Sequence, residues 1–164
     1  MMRSLIISAA TIMLAMTKPN PATAQVSKEF VGTWTLVSAV TEKEGVKSDI
    51  FGAHAKGMLV FDATGNYMLT LIAGDLPKFA SNNRATGTAD ENKVVIGGSL
   101  AHFGTYAVND AEKSFTFRVE RVTFPNWEGA ELKRSFVITA DELIYTDPRA
   151  SAGGFATVVW KRVK

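Results

Sequence analysis

The sequence predicts an all-β chain, an antiparallel sandwich or barrel of eight or nine strands, and three observations carry that expectation. Runs rich in β-branched and aromatic residues recur about every 8 to 12 residues outside one long polar interval. Gly, Pro, Asn and Asp punctuate them, as at Asn109-Asp110, Pro125 to Gly129, Ala140-Asp141 and Asp147-Pro148-Arg149. Ten Phe, three Tyr and three Trp suggest an apolar interior to fill or to leave open. A length of 164 residues, 46% hydrophobic and 21% charged, suits one domain with a self-sufficient core. With no cysteine, disulfide staples, thiol nucleophiles and thiolate metal sites are excluded.

The first 24 residues read as an export signal. Met1-Met2-Arg3 is a positive start, Ser4 to Met16 is apolar and uncharged, and Ala22-Thr23-Ala24 offers the small residues a signal peptidase reads. Cleavage is expected between Ala24 and Gln25, leaving one domain over 25–164 and a periplasmic or secreted bacterial protein. The apolar run is short for a bilayer span, and Lys18, Pro19 and Pro21 end it, so no stable membrane span is expected after cleavage. The whole chain carries 18 basic and 16 acidic residues, a net +2. Arg3 and Lys18 lie in the leader, so the remaining domain is balanced and lacks the basic footprint of a nucleic-acid partner.

The elements follow in order. Phe30 to Val40 is a strand, with Trp34, Leu36 and Val40 on one face by period-2 alternation, and charged Thr41 to Gly45 closes it. Gly57 to Phe61 and Asn66 to Ala73 are adjacent antiparallel strands, because Asp62-Ala63-Thr64-Gly65 suits a tight turn. Gly74 to Asn92 is a long polar interval, a loop with room for a helical turn, and in a barrel it would lie across an opening, either as a functional lid or as a merely mobile connection. Val94 to Ile96 is a short apolar run. Ser99 to Val108, Ser114 to Phe124, Ala130 to Ile138, Glu142 to Thr146 and Gly154 to Val163 complete the strands.

Trp34 on the first strand and Arg162 on the last narrow the choice to a barrel. Closure of an up-and-down barrel pairs its first and last strands and removes both edges, and there the Trp and Arg can stack as a floor plug. The motifs Gly32-Thr33-Trp34 with Leu36-Val37-Ser38, Gly57 to Tyr67, and Phe103-Gly104-Thr105-Tyr106 recur in a known order. Val119-Glu120 followed by Phe124 to Gly129, and the closing Trp160-Lys161-Arg162, continue it. In these the chain resembles the bacterial and fungal lipocalin-like domain family over essentially all of 30–162. The resemblance implies a calycin-type up-and-down β-barrel with a central cavity, and much less about activity. Family members often carry a histidine pair just before the Val-Glu step; here Phe117 and Arg118 stand there, so no imidazole role carries over.

Alternation on 114–120 sets Phe115, Phe117 and Val119 on one face and Thr116, Arg118 and Glu120 on the other. One reading leaves Arg118 and Glu120 on a solvated exterior. The other turns them into the lumen, where Arg134 on the next strand would join them in a cluster favouring an anionic or carboxylate-bearing ligand. Tyr106 and Trp127 complete the candidate ligand-binding set of Tyr106, Arg118, Glu120, Arg134 and Trp127. His102 and Tyr106 share a face with Leu100, Gly104 and Val108 and, with Glu120, are the candidate proton-transfer groups. His54 and His102 lie in different segments, without the neighbouring ligands a metal site needs, so neither metal nor cofactor is expected. Gly97-Gly98 and Gly153-Gly154 lack the context of a phosphate loop, and there is no Gly-x-Ser-x-Gly.

The expectation is an exported lipocalin-like protein holding a small hydrophobic or amphipathic molecule in its barrel. The alternative is a cofactor-independent isomerase, cyclase or lyase using the same cavity. A cavity with isolated polar groups favours the binder, whereas His102 or Glu120 against another titratable group at hydrogen-bonding distance favours the enzyme. A lumen packed shut by Trp34, Phe103 and Phe117 would leave neither, and only a structural or partner-binding protein would remain.

Overall fold

The structure is a computed structural model that describes residues 26–164; the expected leader lies outside the described residues. Eight antiparallel strands close a barrel: β1 (Gly32–Lys43), β3 (Lys56–Phe61), β4 (Asn66–Ile72), β5 (Ser99–Asn109), β6 (Ser114–Val122), β7 (Glu131–Ile138), β8 (Glu142–Asp147) and β9 (Phe155–Arg162). Each pairs with its neighbour in sequence, and β1 pairs with β9 from Trp34↔Arg162 to Glu42↔Phe155, which leaves no open edge in the ring. A ninth strand, β2 (Val46–Asp49), is an added flap on the end of β1. The barrel expected from the Trp34–Arg162 pairing and from the family motifs is the barrel found.

Four local departures from the sequence reading have clear causes. The charged stretch after Val40 does not end β1. Glu44 (φ 52°) and Gly45 (φ 79°) form a two-residue hairpin turn to β2, whose four residues are all exposed and so show no alternation. Val37 bulges out of the β1–β9 ladder between Leu36 and Ser38, so Ala39, not Val40, joins Trp34 inside. Val94 to Ile96 belongs to helix α1 (Ala89–Gly97), started by a Thr88/Glu91 capping box legible as Thr-x-x-Glu, and both Val94 and Ile96 are exposed there. Finally, no residue of 74–98 lines the slot at the open end of the barrel, so the long loop does not cover that slot.

The floor of the barrel is built by its own side chains. The Arg162 guanidinium sits 4.0 Å over the Trp34 ring and donates to the Val31 and Ala140 carbonyls, tying the chain before β1 to the last strand. Phe30, turned in by the lead-in segment, meets Phe61, Phe115 and Phe136 edge to face at 5.3, 5.3 and 4.8 Å, and the Trp34 indole N–H donates to its carbonyl. These rings leave no room at that end. The β3–β4 turn is held by Asp62, whose Oδ1 accepts from the Thr64 and Asn66 amides at 2.8 Å each.

Candidate functional site

At the opposite end the strands leave a slot walled by apolar side chains from five elements: Ala39 on β1, Leu69 and Leu71 on β4, Leu100 on β5, Phe117 on β6 and Val158 on β9. Ile50 and Phe51 from the β2–β3 connection and Ala150 to Ala152 from the β8–β9 loop form its rim. Ala39, delivered inward by the Val37 bulge, is the small residue that keeps this wall open. The free space is about 490 Å³ including the part open to solvent, and a water centre has about 40 Å³ in which to sit. One water needs about 10–15 Å³ on that measure, so the slot fits a small or slender group and not a bulky lipid.

Five polar or aromatic residues converge on this slot: His102, Trp127, Arg134, Tyr145 and Asp147. His102 is buried and its Nδ1 lies 2.8 Å from the Tyr67 hydroxyl, which reaches it from β4. Burial, with added repulsion from Arg134, pushes the His102 pKa down to about 4, so the ring is neutral near pH 7. Burial likewise raises the Tyr67 and Tyr145 hydroxyls above the ordinary tyrosine range. Arg134 Nη2 pairs with Asp147 Oδ2 at 2.9 Å with both side chains under 10% exposed, and Nη1 donates to the Lys133 carbonyl. Burial lowers the Arg134 pKa, and Asp147 opposes that shift. Asp147 Oδ1 also accepts the Arg149 amide at 3.0 Å.

Trp127, carried on the short 3-10 turn Pro125–Trp127 between β6 and β7, roofs the group. Its ring stands edge-on to His102 at 6.2 Å, and the Arg134 guanidinium is 5.9 Å from its centroid. Two donors are left over. The Tyr145 O–H donates to no group among the described residues, and the buried Trp160 indole N–H, which faces the Tyr145 oxygen, has no well-formed bond to any acceptor there.

The model of the lipocalin-like domain matches residues 31–163, nearly all of the barrel. The chain belongs to the lipocalin-like domain family. A search of curated proteins gives no match. A lipocalin-like barrel with an open slot supports small-ligand binding, and among the described residues no helix is long and apolar enough to cross a membrane.

In this lipocalin-like barrel the expected site residues part company. Arg134, Trp127 and His102 meet at the slot. Tyr106 shares the inward face of β5 with His102, as alternation predicts, but lies at the floor, where its hydroxyl donates to the Asp62 carbonyl and its ring packs on Phe61. Burial pushes its pKa up to about 12. Arg118 and Glu120 are outside: Arg118 pairs with exposed Glu131 at 2.9 Å, and Glu120 is the extra residue where β6 pairs Val119 with Gly104 but Arg121 with Phe103. That bulge needs glycine, since a Cβ on Gly104 would stand 2.0 Å from the Arg118 carbonyl oxygen. The Arg118–Glu120–Arg134 cluster therefore does not form. Phe103 points outward too, so of the three rings that could have packed the lumen shut only Trp34 and Phe117 are inside.

Sequence reasoning missed Tyr67, Tyr145 and Asp147. Tyr145 was reachable, because the alternation of β8 sets Leu143, Tyr145 and Asp147 on one buried face. An acid on that face at a strand end is a signal for a buried cation, and only the barrel says that the cation is Arg134. His54 is exposed in the β2–β3 connection, apart from His102, and among the described residues no group of three His, Asp or Glu could hold a metal.

Proposed function

We propose that this protein is an exported carrier or receptor for a small hydrophobic or amphipathic molecule, bound at the open end of the barrel. One observation carries the reading: an apolar-walled slot lined by the Tyr145 side chain and by a neutral imidazole, His102, beside a neutralised ion pair. Apolar contact supplies affinity at roughly 25 cal/mol per Å² buried, and the few polar groups select. The leader-like first 24 residues support export to the periplasm or the medium. Native mass spectrometry of protein purified from its own host tests this. A co-purifying small molecule is the expected result; no retained mass, together with no quenching of Trp fluorescence across a panel of lipophiles, overturns it.

The second reading, a cofactor-independent isomerase, cyclase or lyase, draws on the 2.8 Å contact between His102 and Tyr67, two titratable groups at the slot. The resting acidities weigh against it. A general base or acid works best with a pKa near the operating pH, whereas His102 near 4 is a weak base and the buried tyrosines are weak acids. Deuterium exchange at the α-carbon of a ketone probe should therefore match the buffer rate. Faster exchange that disappears in His102→Ala would establish the enzyme.

A further inference from the structure

The polar groups of the slot constrain what they can recognise. The Tyr67 hydroxyl lies 2.8 Å from His102 Nδ1, and with the hydroxyl as donor the imidazole proton stands on Nε2. The Tyr145 O–H, which donates to no group among the described residues, is a second donor, with the Trp160 N–H against its oxygen. Arg134, the one buried cation among the described residues, is already matched by Asp147 at 2.9 Å and bonded to the Lys133 carbonyl. The slot is therefore rich in donors, carries no net charge, and holds a buried carboxylate of its own. Arg149, the other charge near Arg134, is solvent-exposed and screened.

We infer that the polar end of the ligand is a neutral carbonyl-type acceptor, as in a ketone, ester, amide or lactone, and not a carboxylate. The inference rests on the binding reading given above. A carbonyl oxygen has two lone pairs for the two free donors and brings no charge into the slot. A carboxylate would lose its hydration beside Asp147 without gaining an unpaired cation, and a purely apolar ligand would leave the Tyr145 hydroxyl unmatched.

The test titrates the full chain by NMR with three probes of nearly one shape: acetophenone, benzoate and ethylbenzene. Acetophenone should bind at least about tenfold more tightly than either of the others at pH 7. Tyr145→Phe, which removes a single hydroxyl, should lower acetophenone affinity several-fold and leave ethylbenzene unchanged. Asp147→Asn, by freeing Arg134, should turn the preference toward benzoate. Benzoate or ethylbenzene binding the wild type as tightly as acetophenone overturns the inference and leaves the binding reading standing. No resonance of the slot moving with any probe also overturns it, and the co-purification experiment then decides the binding reading separately. The wild-type comparison needs no variant, so poor folding of Asp147→Asn does not spare the inference.

Discussion

The two ends of the barrel are built from similar residues and solve opposite problems. At the floor Trp34, Phe30, Tyr106 and Arg162 meet, and every polar atom named there has a partner: the Trp34 N–H bonds the Phe30 carbonyl, the Tyr106 hydroxyl the Asp62 carbonyl, and Arg162 the backbone of the lead-in segment. At the open end Trp127, His102, Tyr145 and Arg134 meet, and donors are left over. A tryptophan, a tyrosine and an arginine occur in both. The floor arginine stacks at 4.0 Å on its tryptophan and bonds backbone, whereas the upper one is 5.9 Å from its ring and is held by a buried acid. Packed and satisfied groups stabilise the fold; unsatisfied buried groups lower stability and are left for something else to match.

The largest effect should come from opening the floor. Trp34→Ala removes a fully buried ring, the plug beneath Arg162 and a hydrogen bond, and should cost about 3–5 kcal/mol in urea unfolding. A loss under about 1 kcal/mol would mean that the floor does not close the barrel energetically. Next is the ion pair of the open end: Asp147→Asn strands a buried guanidinium and should cost about 3 kcal/mol, while the double change Arg134→Met with Asp147→Leu should cost less than that single one. A double variant as unstable as the sum of its parts would break the comparison by showing no coupling between the two.

Acidification should act on the open end through His102. In the unfolded chain its pKa is near 6.5 and in the fold about 4, so between those values the unfolded state takes up a proton that the fold refuses. Stability should fall as pH drops through that window, by about 3 kcal/mol, and this contribution should level off below pH 4. His102→Gln should flatten the slope when unfolding is followed against pH; an unchanged slope would assign it elsewhere. The smallest effects separate inside from outside. Arg118→Ala breaks only a half-exposed surface pair with Glu131 and should change stability by about 0.5 kcal/mol or less, leaving ligand binding intact. A loss of binding in Arg118→Ala would return that residue to the site.

Much of this architecture was readable from the chain. The Asp62 turn, the hairpin of β3 and β4 and the shared face of Leu100, His102, Gly104, Tyr106 and Val108 follow from turn chemistry and period-2 alternation, which are local, and the Trp34–Arg162 closure from the need to remove the edges of the sheet. Less was readable where a strand lacks alternation, as in β2, or where the Thr88-x-x-Glu91 signal was hidden in a polar stretch.

What the sequence determined by itself is the set of strands and the facing of most side chains, because each rests on spacing between near neighbours, and the closure, because an up-and-down barrel must pair its first and last strands. Only the tertiary structure decided the site. Alternation could place Arg118 and Glu120 together on one face of β6 without saying whether that face was lumen or solvent. The inward turn of Phe115 and Phe117 settled it, and the Gly104 bulge put Glu120 beside Arg121 outside. The pairing of Arg134 with Asp147, the His102–Tyr67 contact and the separation of His102 from Tyr106 join or divide residues according to their height in the barrel. Height depends on the register of every strand between them, and no local stretch of sequence contains that sum.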